Sequence, residues 1–330
     1  MAETEGIVAV EQRAMAVSVE CIDAAAGDEV LLVRKALSGV ARAEARVGLR
    51  KVAGMLAGAK AKVMLVEKEK MGGDCLYTGC VPSKSIIRSG RIMSYIRRAA
   101  DYGIVDAAGS VDFQKVMGRV RDVIATIEPH DSPERYQGLG VECLSGDARL
   151  VSPYEVEVNG KVIATESIVI AAGARPLVPP IPGLDSIDYL TSDTVWSLTE
   201  LPKRLLVVGG GYIACEMACI FNGLGTEVTQ FYRGPQILRG FDEEARGVIA
   251  EGMVEAGVDL QLNTNVTEMR QEGGKIRVTD THGNTHLFDK VMYATGRAPN
   301  ADNLGLEEIG VERGKGGAIA VDAYSQTAVP

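Results

Sequence analysis

Short apolar runs, separated by glycine-rich turns and longer helical stretches, divide the chain into two halves that follow one pattern. In the first half Glu29–Val33 and Lys62–Val66 read as buried strands, with an alanine-rich helical run, roughly Ala36–Ala59, between them. Helical stretches follow at Ser85–Ala100, Phe113–Ile127 and Pro133–Gly138. Val141–Leu144 and Glu155–Val158 alternate as strands do, with Gly-Asp and Asn-Gly turn signals beside them. Ser167–Ala171 is a further buried strand, and Pro176–Gly183 reads as a crossing between domains. From Leu201 the pattern restarts: strand Arg204–Val208, helix Ile213–Leu224, strand Glu227–Phe231, helix Glu243–Ala256. Antiparallel strands are expected over Asp259–Arg270, Lys275–Asp280 and His286–Phe288, before strand Lys290–Tyr293. Two strand–helix–strand halves predict parallel sheets and an α/β fold. Residues 1–28 show no such pattern and read as an N-terminal extension.

Composition narrows the class. The chain has 330 residues, a length that suggests two domains, and its 46% hydrophobic and 24% charged content is that of a soluble globular protein. A net charge of −9 argues against nucleic acid or a membrane surface as a general partner. The longest apolar candidate, Leu205–Leu224, is broken by Gly209-Gly210-Gly211 and by Glu216, and no signal or transit peptide is evident at the N-terminus. Six cysteines do not make a disulfide framework, which places the protein in a reducing compartment, the cytoplasm by default.

One stretch concentrates chemistry: Gly72-Gly73-Asp74-Cys75-Leu76-Tyr77-Thr78-Gly79-Cys80-Val81-Pro82-Ser83-Lys84. Five residues along a regular helix rise about 7.5 Å, which with the rotation sets the two Cα atoms about 8–9 Å apart, beyond the roughly 7 Å a disulfide tolerates. If Cys75 and Cys80 bond, the backbone between them leaves helix geometry, and Gly79 eases that. A bridge in such a turn reduces more readily than a structural staple. The alternatives are two inert core cysteines or a zinc site. Zinc would need a second ligand element, which Cys21, Cys143, Cys215, Cys219 and the three histidines do not form.

The second informative stretch is Gly209-Gly210-Gly211-Tyr212-Ile213-Ala214-Cys215-Glu216, after a strand and opening a helix. It fits a dinucleotide fingerprint: Gly209 for the tight turn, Gly211 for close pyrophosphate approach, Ala214 for helix packing, with the helix N-terminus facing the phosphates. The other reading is a glycine-rich turn without ligand. An NAD site would place an acid at the end of the next strand. This chain has Tyr232-Arg233 there and Arg239 beyond, two guanidiniums suited to a 2′-phosphate, or else two surface arginines.

The cysteine stretch resembles the redox site of the FAD-dependent pyridine nucleotide–disulfide oxidoreductases, a family that includes glutathione reductase, dihydrolipoamide dehydrogenase and mercuric reductase. Its pattern is Gly-Gly-x-Cys, four residues, then Cys-x-Pro, usually with a lysine near. From about Leu201 to Pro330, and above all over Tyr232–Asp242, the chain resembles glutathione reductase; Met71–Ile87, Ile127–Ser132 and Tyr136–Val141 resemble the mercuric-reductase-like group. The resemblance implies two Rossmann-like domains, 29–176 with 298–330 for FAD and 177–297 for NADPH. It implies catalytic roles for Cys75, Cys80, Lys84 and Glu216, with Cys80 beside the flavin, Cys75 as the interchange thiol and Glu216 paired with Lys84. A helix N-terminus and Lys84 would favour the thiolate. Lys84 and Glu216 as plain solvated charges, and Tyr212 as mere packing rather than the ring over the nicotinamide, are the bland readings.

By the same likeness the cofactor contacts are Glu67, Gly72, Gly73, Cys80, Lys84, Ala172 and Gly173 on the FAD side. On the NADPH side they are Gly209, Gly211, Tyr212, Ile213, Ala214, Glu216, Arg233 and Arg239, with Ala294-Thr295-Gly296-Arg297 closing the last strand. Where an FAD fingerprint is expected after Val33 the chain has Arg34-Lys35-Ala36-Leu37-Ser38-Gly39. Family members carry a histidine acid on a C-terminal dimerisation domain that this chain does not reach, so residues 1–330 alone are expected to bind nucleotide with little turnover. The expectation is an NADPH-dependent disulfide reductase acting on a small disulfide such as glutathione disulfide. Mercuric-reductase-like or dihydrolipoamide-dehydrogenase-like chemistry and a non-catalytic NADPH binder are the alternatives.

Overall fold

The computed structural model describes residues 7–11 and 62–329. In chain order its elements are strands β1 (Ile7–Glu11) and β2 (Val63–Glu67) and helices α1 (Gly73–Tyr77), α2 (Cys80–Arg97), α3 (Phe113–Ile127) and α4 (Pro133–Gln137). Next come β3 (Val141–Ser145), β4 (Ala148–Ser152), β5 (Glu155–Val158), β6 (Lys161–Ala164), β7 (Ile168–Ile170) and β8 (Ala174–Pro176). The remainder is β9 (Arg204–Val208), α5 (Tyr212–Leu224), β10 (Glu227–Tyr232), α6 (Glu243–Glu255), β11 (Asp259–Leu262), β12 (Val266–Glu272), β13 (Lys275–Asp280), β14 (Thr285–Phe288), β15 (Lys290–Tyr293) and β16 (Arg297–Pro299). They form two compact units, one within residues 1–76, 126–175 and 298–330, the other within 77–125 and 176–297.

The first unit holds a parallel sheet in the order β3-β2-β1-β7. All five residues of β2 are buried, as a parallel strand covered on both faces requires. A three-stranded antiparallel sheet, β4-β5-β6, packs its inward residues Leu150, Val156 and Ile163 with Met64, Val66, Leu304 and Leu306 in one core.

The first strand differs from expectation. Ile7–Glu11, inside the stretch read as an extension, pairs parallel with β2 (Ile7 opposite Val63) and with β7 (Val8 opposite Ile168). Its apolar run is only four residues long, so little local marks it as a strand; pairing on both sides defines it. The expected strand Glu29–Val33, the helical run Ala36–Ala59 and the Arg34–Gly39 stretch lie outside the described residues.

The second unit holds a parallel sheet ordered β11-β10-β9-β15 and an antiparallel sheet β12-β13-β14. Leu205, Leu206 and Val207 of β9 are 0% exposed. At about 1.5–3 kcal/mol for each fully buried aliphatic side chain, this strand anchors the unit. The stretch expected as antiparallel, Asp259–Arg270, is two elements. β11 joins the parallel sheet (Thr229 opposite Asp259), and the chain turns at Asn263 (φ 52°) before β12. The sequence assigned 77–125 to the FAD domain, but the structure packs α2 and α3 with the second unit. Ile86, Phe113, Met117 and Val120 share one core with Leu205, Val207 and Phe221. Among the described residues no helix is long and apolar enough to cross a membrane.

Candidate active site and nucleotide-binding loop

The cysteine segment is a broken helix. Gly72 (φ 102°) and Gly73 (φ 56°) turn the chain into α1, and a Cβ on Gly72 would stand 2.6 Å from Leu76 Cδ2, so both conformation and space call for glycine. Cys75 is exposed on α1. The chain then leaves helical geometry over Thr78 and Gly79 (φ −121°, ψ −109°), and Cys80 opens α2 half-buried. The Ser83 amide donates to Gly79 O at 3.1 Å, closing the first turn of α2.

Lys84 lies one turn into α2, and its Nζ donates to Ser83 Oγ (3.1 Å) and to Glu216 Oε1 of α5. Further along, α2 and α5 meet at Gly90 and Gly223, and Arg97 donates to Gly223 O at 2.7 Å, covering the carbonyl end of α5. The contacts advance in the same direction on both helices, so α2 and α5 run parallel. Lys84 and Glu216 are each the fifth residue of their helix. Cys80 and Tyr212 therefore open neighbouring helices at one end of this unit, where both helix dipoles are positive.

That end carries the glycine loop. Gly209 has φ 141°, and a Cβ there would be 2.2 Å from Ala294 O and 3.3 Å from Ala214 Cβ. Only glycine lets β9, the end of β15 and α5 converge. Gly211 is the opposite case: a Cβ on it would meet nothing within 4 Å. It caps α5 without any side-chain hydrogen bond, leaving open space before the first-turn amides. Ala214 is fully buried, Ile213 packs half-buried against the core and the Tyr212 ring is exposed.

Tyr232 ends β10 where an NAD site would place its acid, and its ring fills the space that Cβ atoms on Gly210 (2.4 Å) and Gly234 (2.7 Å) would take. Arg233 and Arg239 are exposed and, among the described residues, have no carboxylate partner. Arg246 of α6 holds their loop by donating to Ile237 O (2.7 Å) and Gln236 O (3.1 Å). Gln230, 0% exposed, donates from Nε2 to Gly209 O at 2.9 Å. The sequence reading passed over both Arg246 and Gln230.

Thr295 Oγ1 donates to Leu177 O (2.5 Å), and the Leu177 amide to Gly296 O (2.9 Å). Ala294 closes β15 with its amide on Val208 O (2.8 Å), and Arg297 begins β16. In the first unit Glu67 ends β2 buried, its Oε1 accepting from the Glu69 amide at 2.7 Å. Asn300 binds the carbonyls of Ala172 and Gly173, through Nδ2 (2.9 Å) and its amide (3.0 Å).

Two further cysteines lie on α5. Burial pushes the Cys215 thiol up, and Cys219 is pushed up to about 11 by desolvation, then by Cys215 and Glu216. Neither holds a thiolate near neutral pH.

A family model for pyridine nucleotide-disulphide oxidoreductases matches residues 38–330. The chain is 39% identical to a glutathione reductase of Burkholderia cepacia over 85% of its own length and 62% of the relative's. It is 34% identical to a mercuric reductase of Staphylococcus aureus over 81% of its length and 49% of the relative's. The HOCl-induced flavoprotein disulfide reductase RclA of Escherichia coli superposes with a TM-score of 0.74 at 27% identity, over 85% of this chain and 61% of that one. The chain thus spans about half to three fifths of the length of these relatives. It belongs to the pyridine nucleotide-disulphide oxidoreductases, flavoproteins that depend on FAD and use NAD(P)H.

Proposed function

We propose that this chain carries the NADPH-binding and dithiol parts of a flavoprotein disulfide reductase whose substrate is a small disulfide of the glutathione disulfide kind. The observation that carries this reading is the Lys84–Glu216 pair, which ties the helix opened by Cys80 to the helix opened by the nucleotide loop. The loop suits a pyrophosphate: Gly211 leaves open space before the α5 N-terminus, and Arg233 and Arg239 offer unpaired charge for a 2′-phosphate. Ile213, Ala214 and Ala294–Arg297 shape its walls. Tyr212, exposed at the start of α5, covers the nicotinamide position. On the FAD side Glu67, a buried acid at a strand end, suits ribose hydroxyls, with Gly72, Gly73, Ala172 and Gly173 beside the cofactor. FAD, when bound, supplies the two-electron link between NADPH and the disulfide.

Cys75 is the interchange thiol. Its thiolate attacks the substrate disulfide, one substrate thiolate leaves as the mixed disulfide forms, and Cys80 then displaces the second and closes the Cys75–Cys80 bridge. Lys84 and the α2 N-terminus stabilise thiolate charge. The cytoplasm, a reducing compartment, is the proposed setting. A mercuric-reductase-like activity is the second reading, favoured by the 34% identity to such an enzyme. Steady-state NADPH oxidation with FAD present separates them. The rate is read above the background without acceptor: stimulation by glutathione disulfide, however slow, supports the first reading, stimulation only by mercuric ion replaces it with the second, and stimulation by neither leaves a nucleotide binder without turnover.

A further inference from the structure

The loop between β10 and α6 carries Arg239, and its course is set at one peptide bond. Leu238, 7% exposed, lies in the left-handed region (φ 54°), which a side chain of this size adopts only at a cost. The peptide joining Ile237 to Leu238 is planar and trans, so its carbonyl and its N–H turn together and point opposite ways. The N–H end, the Leu238 amide, donates to Gly210 O of the nucleotide loop at 2.6 Å. The carbonyl end, Ile237 O, accepts from Arg246 Nε at 2.7 Å, and Arg246 Nη2 reaches the preceding carbonyl, Gln236 O, at 3.1 Å.

One peptide plane is thus held at both of its polar atoms. Flipping it would change ψ of Ile237 and φ of Leu238 together and return Leu238 to a negative φ, so the local backbone preference favours the flip. The flip would break both bonds and redirect the chain at Arg239, the next residue. Arg246 stands in the first turn of α6, where the helix dipole opposes a cation. The two carbonyls, rather than its own helix, account for a cation at that place.

We propose that Arg246 is a positioning residue for NADPH over NADH: by gripping Ile237 O it keeps this peptide from flipping and holds Arg239 turned toward the adenosine 2′-phosphate. The inference rests on the NADPH reading above. NADH has no 2′-phosphate for Arg239 to meet, so a misdirected Arg239 costs it nothing. Any disturbance that passes through Gly210 to the pyrophosphate falls on both nucleotides alike, and the ratio of the two affinities isolates the part played by Arg239.

The test is titration of the full chain with NADPH and with NADH, in the parent, in Arg246→Met, in Arg246→Lys, in Arg239→Ala and in Arg246→Met combined with Arg239→Ala. The preference for NADPH is expected to fall about fivefold or more in Arg246→Met, a part of the roughly tenfold or more that one charged hydrogen bond supplies. Arg246→Lys keeps the charge but puts a methylene where Nε donates, and should lose about as much. With Arg239→Ala already present, Arg246→Met should move the ratio by less than about twofold, because the residue it acts through is gone. A merely structural role would lower the unfolding temperature and leave the ratio unmoved. Where Arg246→Met does not fold, Arg246→Lys reads the same ratio. A ratio unchanged in Arg246→Met, a parent-like ratio in Arg246→Lys, or a fall that persists in full without Arg239 overturns the proposal. A parent that binds both nucleotides equally overturns the NADPH reading instead.

Discussion

Gly90 of α2 and Gly223 of α5 meet backbone to backbone: a Cβ on Gly223 would stand 3.2 Å from Gly90 Cα, and one on Gly90 would lie 3.5 Å from Ile220 O. This close crossing sets the spacing at which Lys84 reaches Glu216, two turns nearer the helix starts. The two glycines are not equivalent. Gly90→Ala fits in ordinary contact and removes a helix-interior glycine, so its unfolding midpoint should stay level or rise, by up to about 1 kcal/mol. Gly90→Leu must push the helices apart, costing about 1–3 kcal/mol in denaturant unfolding. Equal effects from the two variants would contradict the crossing.

The Lys84–Glu216 pair should matter more to chemistry than to stability. The Lys84 side chain is 64% exposed, and such pairs contribute at most about 1 kcal/mol. Lys84→Met is therefore expected to unfold within about 1 kcal/mol of the parent while slowing disulfide reduction by about tenfold or more, since under the proposed function it removes a cation that favours the thiolate. Stopped-flow kinetics and denaturant titration on the same samples decide it.

Replacing Arg233 and Arg239 together by alanine should erase most of a preference for NADPH over NADH. Each guanidinium lost from a phosphate costs about 1.5–3 kcal/mol. Titration calorimetry with both nucleotides reads this directly, and a parent protein with equal affinities would refute the assignment.

The thiols should separate by reactivity. With Cys219 pushed up to about 11, only about one molecule in a thousand carries its thiolate at pH 8, and Cys215 is buried as well as raised. Iodoacetamide on reduced protein at pH 8 should label Cys75 and Cys80 well before either. The Cys219 labelling rate should climb about tenfold per pH unit until it nears its pKa. Early labelling of Cys219 would show that the environment of α5 is misread.

The buried carboxylate of Asp280 should contribute to acid stability. Asp280 is 4% exposed, and burial on its own would raise its pKa. The hydrogen bonds it accepts from His286 Nε2 (3.0 Å), Asn284 Nδ2 (3.1 Å) and the amides of Asn284 (2.9 Å) and His282 (2.8 Å) outweigh that and hold it well below the usual carboxylate range. A folded-state pKa depressed in this way contributes stability that is present above the unfolded value of about 4 and lost as pH falls toward the folded one. Asp280→Ala should cost about 3 kcal/mol at pH 7, since it orphans charge-assisted donors, and should flatten the loss of stability below about pH 4. A parent and variant with parallel acid-unfolding curves would exclude this role.

The parts of this protein written in adjacent residues were legible in the sequence. The Gly209–Ala214 turn, the Gly-Gly-x-Cys stretch and the Tyr232-Arg233 strand end each follow from local geometry: a positive φ, a short loop, a strand that stops. The parallel sheet of the second unit followed from strand–helix–strand order. Other features required the folded chain. Strand β1 exists because β2 and β7 flank it, not because its four apolar residues announce it. Residues 77–125 join the second unit because two glycines, 133 positions apart in number (223 − 90), let α2 lie against α5. Trp196 reaches Thr78 across 118 positions, a contact that no local pattern announces. Contacts of that span depend on helix spacing and loop anchoring of a few tenths of an ångström, and those distances are set by packing of the whole unit rather than by any local pattern.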